Sequence, residues 1–232
     1  MDWERFAERL AVLARELLEQ DSVQATLDRI ASAAVEIVDG CEAAGVLTLR
    51  KRAAVTLAAC GDLAAESDRL QGRFREGPCF DVAHRSDAAR AYRIMDLSRP
   101  QPAWPKYAPA ARRLGVGSVM GFLLYARGED FGALNLYSRR PGAFTEASET
   151  AGWVLASHCA VALASASTEE QLGHALETRH AIGEAMGILM ERHRLSEDDA
   201  FDVLRRVSQH HNVKLRDVAQ RVRRGPLIPP ER

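Results

Sequence analysis

The sequence predicts an α+β protein in which an antiparallel sheet flanked by helices is followed by a long linking helix and a C-terminal bundle of three short helices. Three observations carry that reading. Apolar residues recur at spacings of three and four near both ends of the chain. Between residues 44 and 137 they form short runs bounded by turn residues. No proline interrupts the chain between Pro141 and Pro226.

The 232 residues leave room for one large domain or two modest ones, and a hydrophobic share of 47% supplies a core. Net charge is −1 and the pI is near 6.7, so any nucleic-acid site must be local. Cys41, Cys60, Cys79 and Cys159 are widely spaced, with no close pair for zinc or dithiol chemistry and no secretory signal before them. A reducing, cytoplasmic setting is expected, with no stretch long and apolar enough to cross a bilayer.

Residues 1–20 hold an amphipathic helix over Trp3 to Glu19, with Phe6, Leu10, Leu13 and Leu17 on one seam. That seam wants a partner, in the same chain or in a second copy. Asp21 and Ser22 interrupt it. A second helix then carries Val23, Leu27, Ile30, Ala34 and Ile37 on one face and stops near Asp39 and Gly40. Next the period changes: Ala44 to Leu49 and Val55 to Cys60 read as adjacent antiparallel strands joined by Arg50, Lys51 and Arg52. A loop-rich middle with Gly72, Gly77, Pro78, Pro100, Pro102 and Pro105 contains a short apolar run at Ala91 to Met95 and a small helix from Tyr107 to Leu114. Ser118 to Tyr125 and Phe131 to Tyr137 form a second hairpin, turned by Arg127, Gly128, Glu129 and Asp130.

Over residues 21–165 this order resembles a GAF domain. The likeness lies in Leu27 and Ile30, Gly77-Pro78-Cys79, Asp96-Leu97, Trp104-Pro105, Leu114 to Ser118, Phe131 to Tyr137, and Pro141 to Phe144. It implies a sensor module with a central antiparallel sheet and a small-molecule ligand. Cys79 and His84 are the candidate sensor residues. Cys79 follows Pro78 at a helix start, where the helix dipole lowers a thiol pKa, but it equally suits a buried core position. His84 and His158 have the chemistry of a haem or metal ligand, yet neither has a second ligand at helical spacing. The residues name no metal site and no cofactor.

Thr145 is placed to cap a long helix, with Ala147, Ala151, Val154, His158 and Val161 on one stripe. Only small or polar residues separate that stripe from Leu172, Leu176 and Ile182, so one nearly continuous helix is expected, softened at Gly173. A stiff helix transmits a shift that a flexible linker would absorb.

Residues 166–225 end in three short amphipathic helices, with a tail at 226–232. Their stripes are Ile182, Ala185, Met186 and Leu189; Ala200, Phe201, Leu204 and Val207; and Leu215, Val218, Ala219 and Val222. Ser196 with Asp199 marks the second start, and Asn212 suits a helix exit. From Arg205 to Arg224, seven basic side chains stand against Asp217 alone.

Arg179, Ile182, Ala185, Gly187 to Met190, Ala200, Phe201, Leu204, Arg205, Lys214, Leu215 and Asp217 to Ala219 resemble the ANTAR module across its length. That resemblance implies an RNA-binding unit of transcription antitermination, acting as a homodimer on hairpin loops in a leader transcript. Family members often carry Lys where this chain has Met186. The RNA-binding candidates are Arg179, Ala185, Met186, Gly187, Met190, Arg205, Arg206 and Lys214. Arginine pairs with phosphate and stacks on unpaired bases, though Arg179 equally fits an ion pair with Glu184 or across a dimer seam. Ala185, Met186 and Met190 fit core positions as well as contact positions. Gly187 inside a helix costs about 1 kcal/mol relative to Ala, so either a neighbouring helix or RNA approaches it closely.

The expected function is therefore a sensor-controlled, RNA-binding antitermination regulator without catalytic residues and with no membrane partner. Two alternatives remain: a DNA-binding regulator, since a basic last helix in a three-helix unit mimics a helix-turn-helix, and a thiol-dependent methionine sulfoxide reductase using Cys79 with Cys41 or Cys60.

Overall fold

The computed structural model of the chain describes residues 2–50, 53–84, 91–94, 96–97 and 99–225. The turn residues Lys51 and Arg52, Met95 and the tail lie outside the described residues. The chain divides into two compact units, residues 1–168 and 169–232.

In the first unit, α1 (Trp3–Leu18) starts where the Asp2 carboxylate accepts from the amides of Glu4 and Arg5, and α2 (Val23–Ile37) starts where Ser22 accepts from the Ala25 amide. The strands β1 (Ala43–Arg50), β2 (Ala53–Cys60), β3 (Ala91–Ile94), β4 (Ser118–Ala126) and β5 (Glu129–Ser138) form one sheet in the order β2-β1-β5-β4-β3. Every neighbouring pair is antiparallel. The helices α1 and α2 cover one face, together with the first turns of α6 (Glu146–His193), and bury Val46, Phe122, Leu124, Leu134 and Leu136 against Leu13, Ile30, Leu155 and Leu163. The opposite face is covered by α3 (Asp62–Phe74), α4 (Pro78–His84) and α5 (Tyr107–Arg113), which, with Trp104 from the loop before α5, pack Leu63, Tyr107 and Cys79 against Leu47, Val119, Ala133 and Tyr137.

The helix α3 falls within the segment expected to be loop-rich. Its inward stripe explains the difference: beside Leu63 and Ala64 it buries Ser67, Asp68 and Gln71, so polarity conceals the helical period. Arg75 ends it in the left-handed conformation at φ 56°.

Thr145 caps α6 by accepting from the Ser148 amide at 3.2 Å, and the helix runs 48 residues without a break, including at Gly173. By length and composition alone α6 could cross a bilayer, contrary to expectation. Packing of Ala151, Leu155, Cys159 and Leu163 in the sheet domain accounts for that apolarity.

In the second unit the end of α6 packs with α7 (Glu197–His211) and α8 (Leu215–Arg224) around Ala181, Ala185, Leu189, Ala200, Leu204, Val218, Ala219 and Val222. Ser196 accepts from the Asp199 amide at the start of α7, and Asn212 ends it in the left-handed region at φ 50°. Phe201, placed by its period on the core stripe, is instead 39% exposed.

Candidate functional site

The second unit presents its basic residues outward. Arg205, Arg206, Lys214, Arg216, Arg221, Arg223 and Arg224 are all exposed. Some are tied to carboxylates: Arg205 lies 3.0 Å from Asp202, one turn earlier, and Arg216 lies 3.5 Å from Asp217. Arg206 Nε donates to the Asp202 carbonyl at 3.4 Å. Lys214 occupies the N-cap position of α8, where its side chain makes no capping bond. Exposed pairs of this kind contribute at most about 1 kcal/mol each, so an incoming phosphate displaces them cheaply.

The sequence candidates on α6 separate by face. Ala185 is fully buried in the three-helix core and offers no surface, so its place is packing. Met186 is half-buried against the same core, and Met190 is exposed. Gly187 is exposed, and a Cβ there would meet nothing within 4 Å, which removes a neighbouring helix of this chain as the reason for the glycine. Arg179 does not pair with Glu184, whose carboxylate lies 3.1 Å from His180 and 2.6 Å from Arg223. Instead Arg179 lines a cleft between α6 and α7 with His174, Thr178, Ile182 and the exposed ring of Phe201. The pairing of Glu184 with Arg223 escaped the sequence reading because the two lie far apart along the chain and meet only when α8 packs on α6.

The sensor candidates sit differently. Cys79 is buried, with its Sγ 3.8 Å from the Leu47 carbonyl. Burial pushes its pKa up to about 12, with Asp68 and Asp130 adding to the rise, so the lowering expected from a helix start does not prevail. Cys41 is likewise raised by burial to about 12. These are poor nucleophiles for thiol redox chemistry. His84 closes α4, and its side chain lies outside the described residues.

A buried polar cluster that sequence reasoning missed stands beside Cys79. Gly45, Asn135 and Gly121 are direct partners across β1, β5 and β4, forming one row on the face under α3. Asp68 reaches toward this row; a Cβ on Gly45 would lie 2.6 Å from its Oδ2. Its Oδ1 accepts from Tyr137 Oη at 2.6 Å, and Gln71 Nε2 donates to Tyr137 Oη at 2.9 Å. Gln71 in turn accepts from the Cys79 amide at 3.0 Å, while Ser67 and Tyr107 share a hydroxyl pair at 2.8 Å. Asp68 Oδ2 and both ends of the Asn135 amide have no hydrogen-bond partner. Thr56 and Asn135 are near enough to lower the Asp68 pKa, but burial outweighs them and raises it to about 7.

A helix-flanked antiparallel sheet with a polar core, continuous through one helix with a basic three-helix unit, defines a two-part regulatory protein: a sensor followed by an output module. Residues 20–164 match the GAF domain family and residues 170–222 match the ANTAR domain family; the chain belongs to the GAF family and carries a C-terminal ANTAR domain. Both are regulatory domains, and the ANTAR family is one of RNA-binding antitermination regulators.

No curated protein sequence matches the chain. Among solved structures, it is similar to the GAF domain of a phosphoenolpyruvate-protein phosphotransferase from Coxiella burnetii, at 19% identity and a TM-score of 0.57, covering 74% of this chain and 99% of that one. The GAF domain of the Acinetobacter phosphoenolpyruvate-protein phosphotransferase gives 18% identity and a TM-score of 0.51, covering 72% and 96%. The phytochrome photosensory core module of Stigmatella aurantiaca gives 12% identity and a TM-score of 0.56, covering 84% of this chain and 43% of that one. At these identities the likeness shows the fold.

Proposed function

We propose that this chain is a cytoplasmic, sensor-controlled regulator that binds hairpin loops in a nascent transcript and promotes transcription antitermination. The observation that carries the reading is the ANTAR match over a unit whose basic side chains from Arg205 to Arg224 are all exposed. A small molecule bound by the GAF domain supplies the signal, and α6 connects the two units without a loop. Regulation requires only that the chain bind one RNA structure more tightly than its competitor. Arg179, Arg205, Arg206 and Lys214 make the RNA contacts, with Gly187 and Met190 on the adjoining surface of α6.

The working form is a homodimer. Val161, Leu172, Leu176 and Met190 are exposed on α6, spaced to lie on one face of a 3.6-residue helix. Leu18 on α1 is also exposed and lines an apolar groove with Val161. A second copy covers these residues.

Titration of the purified chain with a two-hairpin leader RNA and with matched duplex DNA across a salt series tests the reading. Tighter binding to the RNA, lost when its loops are closed into duplex, is expected. Equal affinity for both nucleic acids would sink it.

A further inference from the structure

The three polar residues on the inward stripe of α3 are each bonded to a different neighbour. Ser67 Oγ meets Tyr107 Oη on α5 at 2.8 Å, Asp68 Oδ1 accepts from Tyr137 Oη on β5 at 2.6 Å, and Gln71 Oε1 accepts from the Cys79 amide on α4 at 3.0 Å. Little more than one helical turn therefore latches α3 to the sheet and to both helices beside it. The helix lies over β2, the edge strand, where Thr56 is exposed. Bulk water begins at that edge.

Asp68 is the weak member of the latch. It is buried and its Oδ2 has no partner. Gly45 beneath it has no side chain to offer, and the Asn135 amide stands near it without a hydrogen bond. The titratable groups facing it are Tyr137, Tyr107 and Cys79, all kept protonated by burial, and Asp130 on β5 stands beyond Cys79 as a further anion. On α3 itself Glu66 and Arg69 pair with one another at 2.8 Å on the surface. Among the described residues no cation balances a charge on Asp68. The neutral acid suits this setting; the carboxylate is an isolated buried anion.

An ionised Asp68 has two ways back to water. Unfolding of the whole unit would also expose the apolar face under α1, α2 and α6. Lifting α3 alone exposes chiefly Leu63, Ala64, Leu70 and the polar stripe. The second route gives up less apolar burial.

We propose that ionisation of Asp68 releases α3 from the sheet, so that this helix is a pH-controlled cover over the face carrying Asn135. At low pH the cover is latched. At high pH water reaches Oδ2, and the Asn135 amide is opened to an outside group. The device belongs to the sensor unit and does not depend on what the C-terminal unit binds.

Hydrogen exchange of the full chain at pH 6 and pH 8, across a series of low urea concentrations and corrected for the intrinsic pH dependence of amide exchange, tests the proposal. Asp68 titrates at about 7 when covered and at about 3.9 in water, so the population with α3 lifted should rise about tenfold between these pH values. Residues 62–74 are expected to exchange ahead of residues 23–37 with little dependence on urea, as local opening does, and about tenfold faster at pH 8. Asp68→Asn keeps the shape but cannot ionise; it should abolish the pH effect and leave exchange in residues 197–211 unchanged. The comparison in the parent chain needs no variant, so a variant that fails to fold leaves that result standing. Exchange of α3 together with α2 at one urea slope would assign Asp68 to global stability alone and overturn the proposal. Equal α3 protection at both pH values, or a rise that persists in Asp68→Asn, would overturn it as well.

Discussion

Tyr137 donates a 2.6 Å hydrogen bond to a carboxyl, Asp68, that is buried with no cation facing it among the described residues. The groups around it are Thr56 on β2, Asn135 and Tyr137 on β5, Gln71 on its own helix, and Tyr107 and Cys79 from α5 and α4. Burial therefore raises its pKa to about 7, against about 3.9 in an unfolded chain. The folded protein holds a proton that the unfolded one releases, so the contribution is fully present below about pH 4 and is lost as pH rises through about 7. Asp68→Asn should flatten that dependence. Unfolding free energies from urea titrations at pH 5 and pH 8 should differ by about 3 kcal/mol less in the variant than in the parent, and an unchanged difference would assign the slope to another group.

Gly187→Ala should separate folding from binding. The new methyl group meets open space, and Ala is favoured over Gly in an exposed helix by about 0.5–1 kcal/mol. The melting temperature is expected to rise while affinity for hairpin RNA falls. A stabilised variant with unchanged RNA affinity would place the contact surface elsewhere on the unit.

Leu172→Glu combined with Leu176→Glu places like charges on the exposed face of α6. Both leucines are more than half exposed in one chain, so the variant should unfold at nearly the parent temperature. Sedimentation velocity should show the parent as a dimer and the variant as a monomer. A variant that remains dimeric would exclude this face as the contact between copies.

Thiol labelling should follow burial. Cys41, Cys79 and Cys159 are buried and burial holds each near a pKa of about 12, whereas Cys60 is half-buried. At pH 7.5, iodoacetamide is expected to reach Cys60 first by mass spectrometry, with the others reacting only on unfolding. Early modification of Cys79 would reopen a redox role for the sensor.

Periodicity disclosed α1, α2, both hairpins and the three-helix unit because each buries a stripe of plainly apolar side chains. It failed at α3, where Ser67, Asp68 and Gln71 occupy the inward positions. The row of Gly45, Asn135 and Gly121 depends on register between strands far apart in sequence, and no local pattern specifies that pairing. The same limit applies to Arg223 and Glu184. Arg205 and Lys214 were legible as surface cations within short amphipathic helices, while Ala185, similar in any local pattern to a contact residue, lies fully inside.

Every side chain from Thr168 to Glu177 is exposed, with Gly173 in their midst. That part of α6 buries no side chain and is held by its own backbone ladder, by contacts along the helix such as that of His174 with Glu177, and by the anchored turns at either end; an isolated helix of such length is marginal in water. On the signalling route proposed above, this segment is a fuse: melting two or three turns would break mechanical continuity without disturbing either core. Signal gain then becomes a property of helix propensity in ten residues, adjustable by substitutions that touch neither ligand nor RNA.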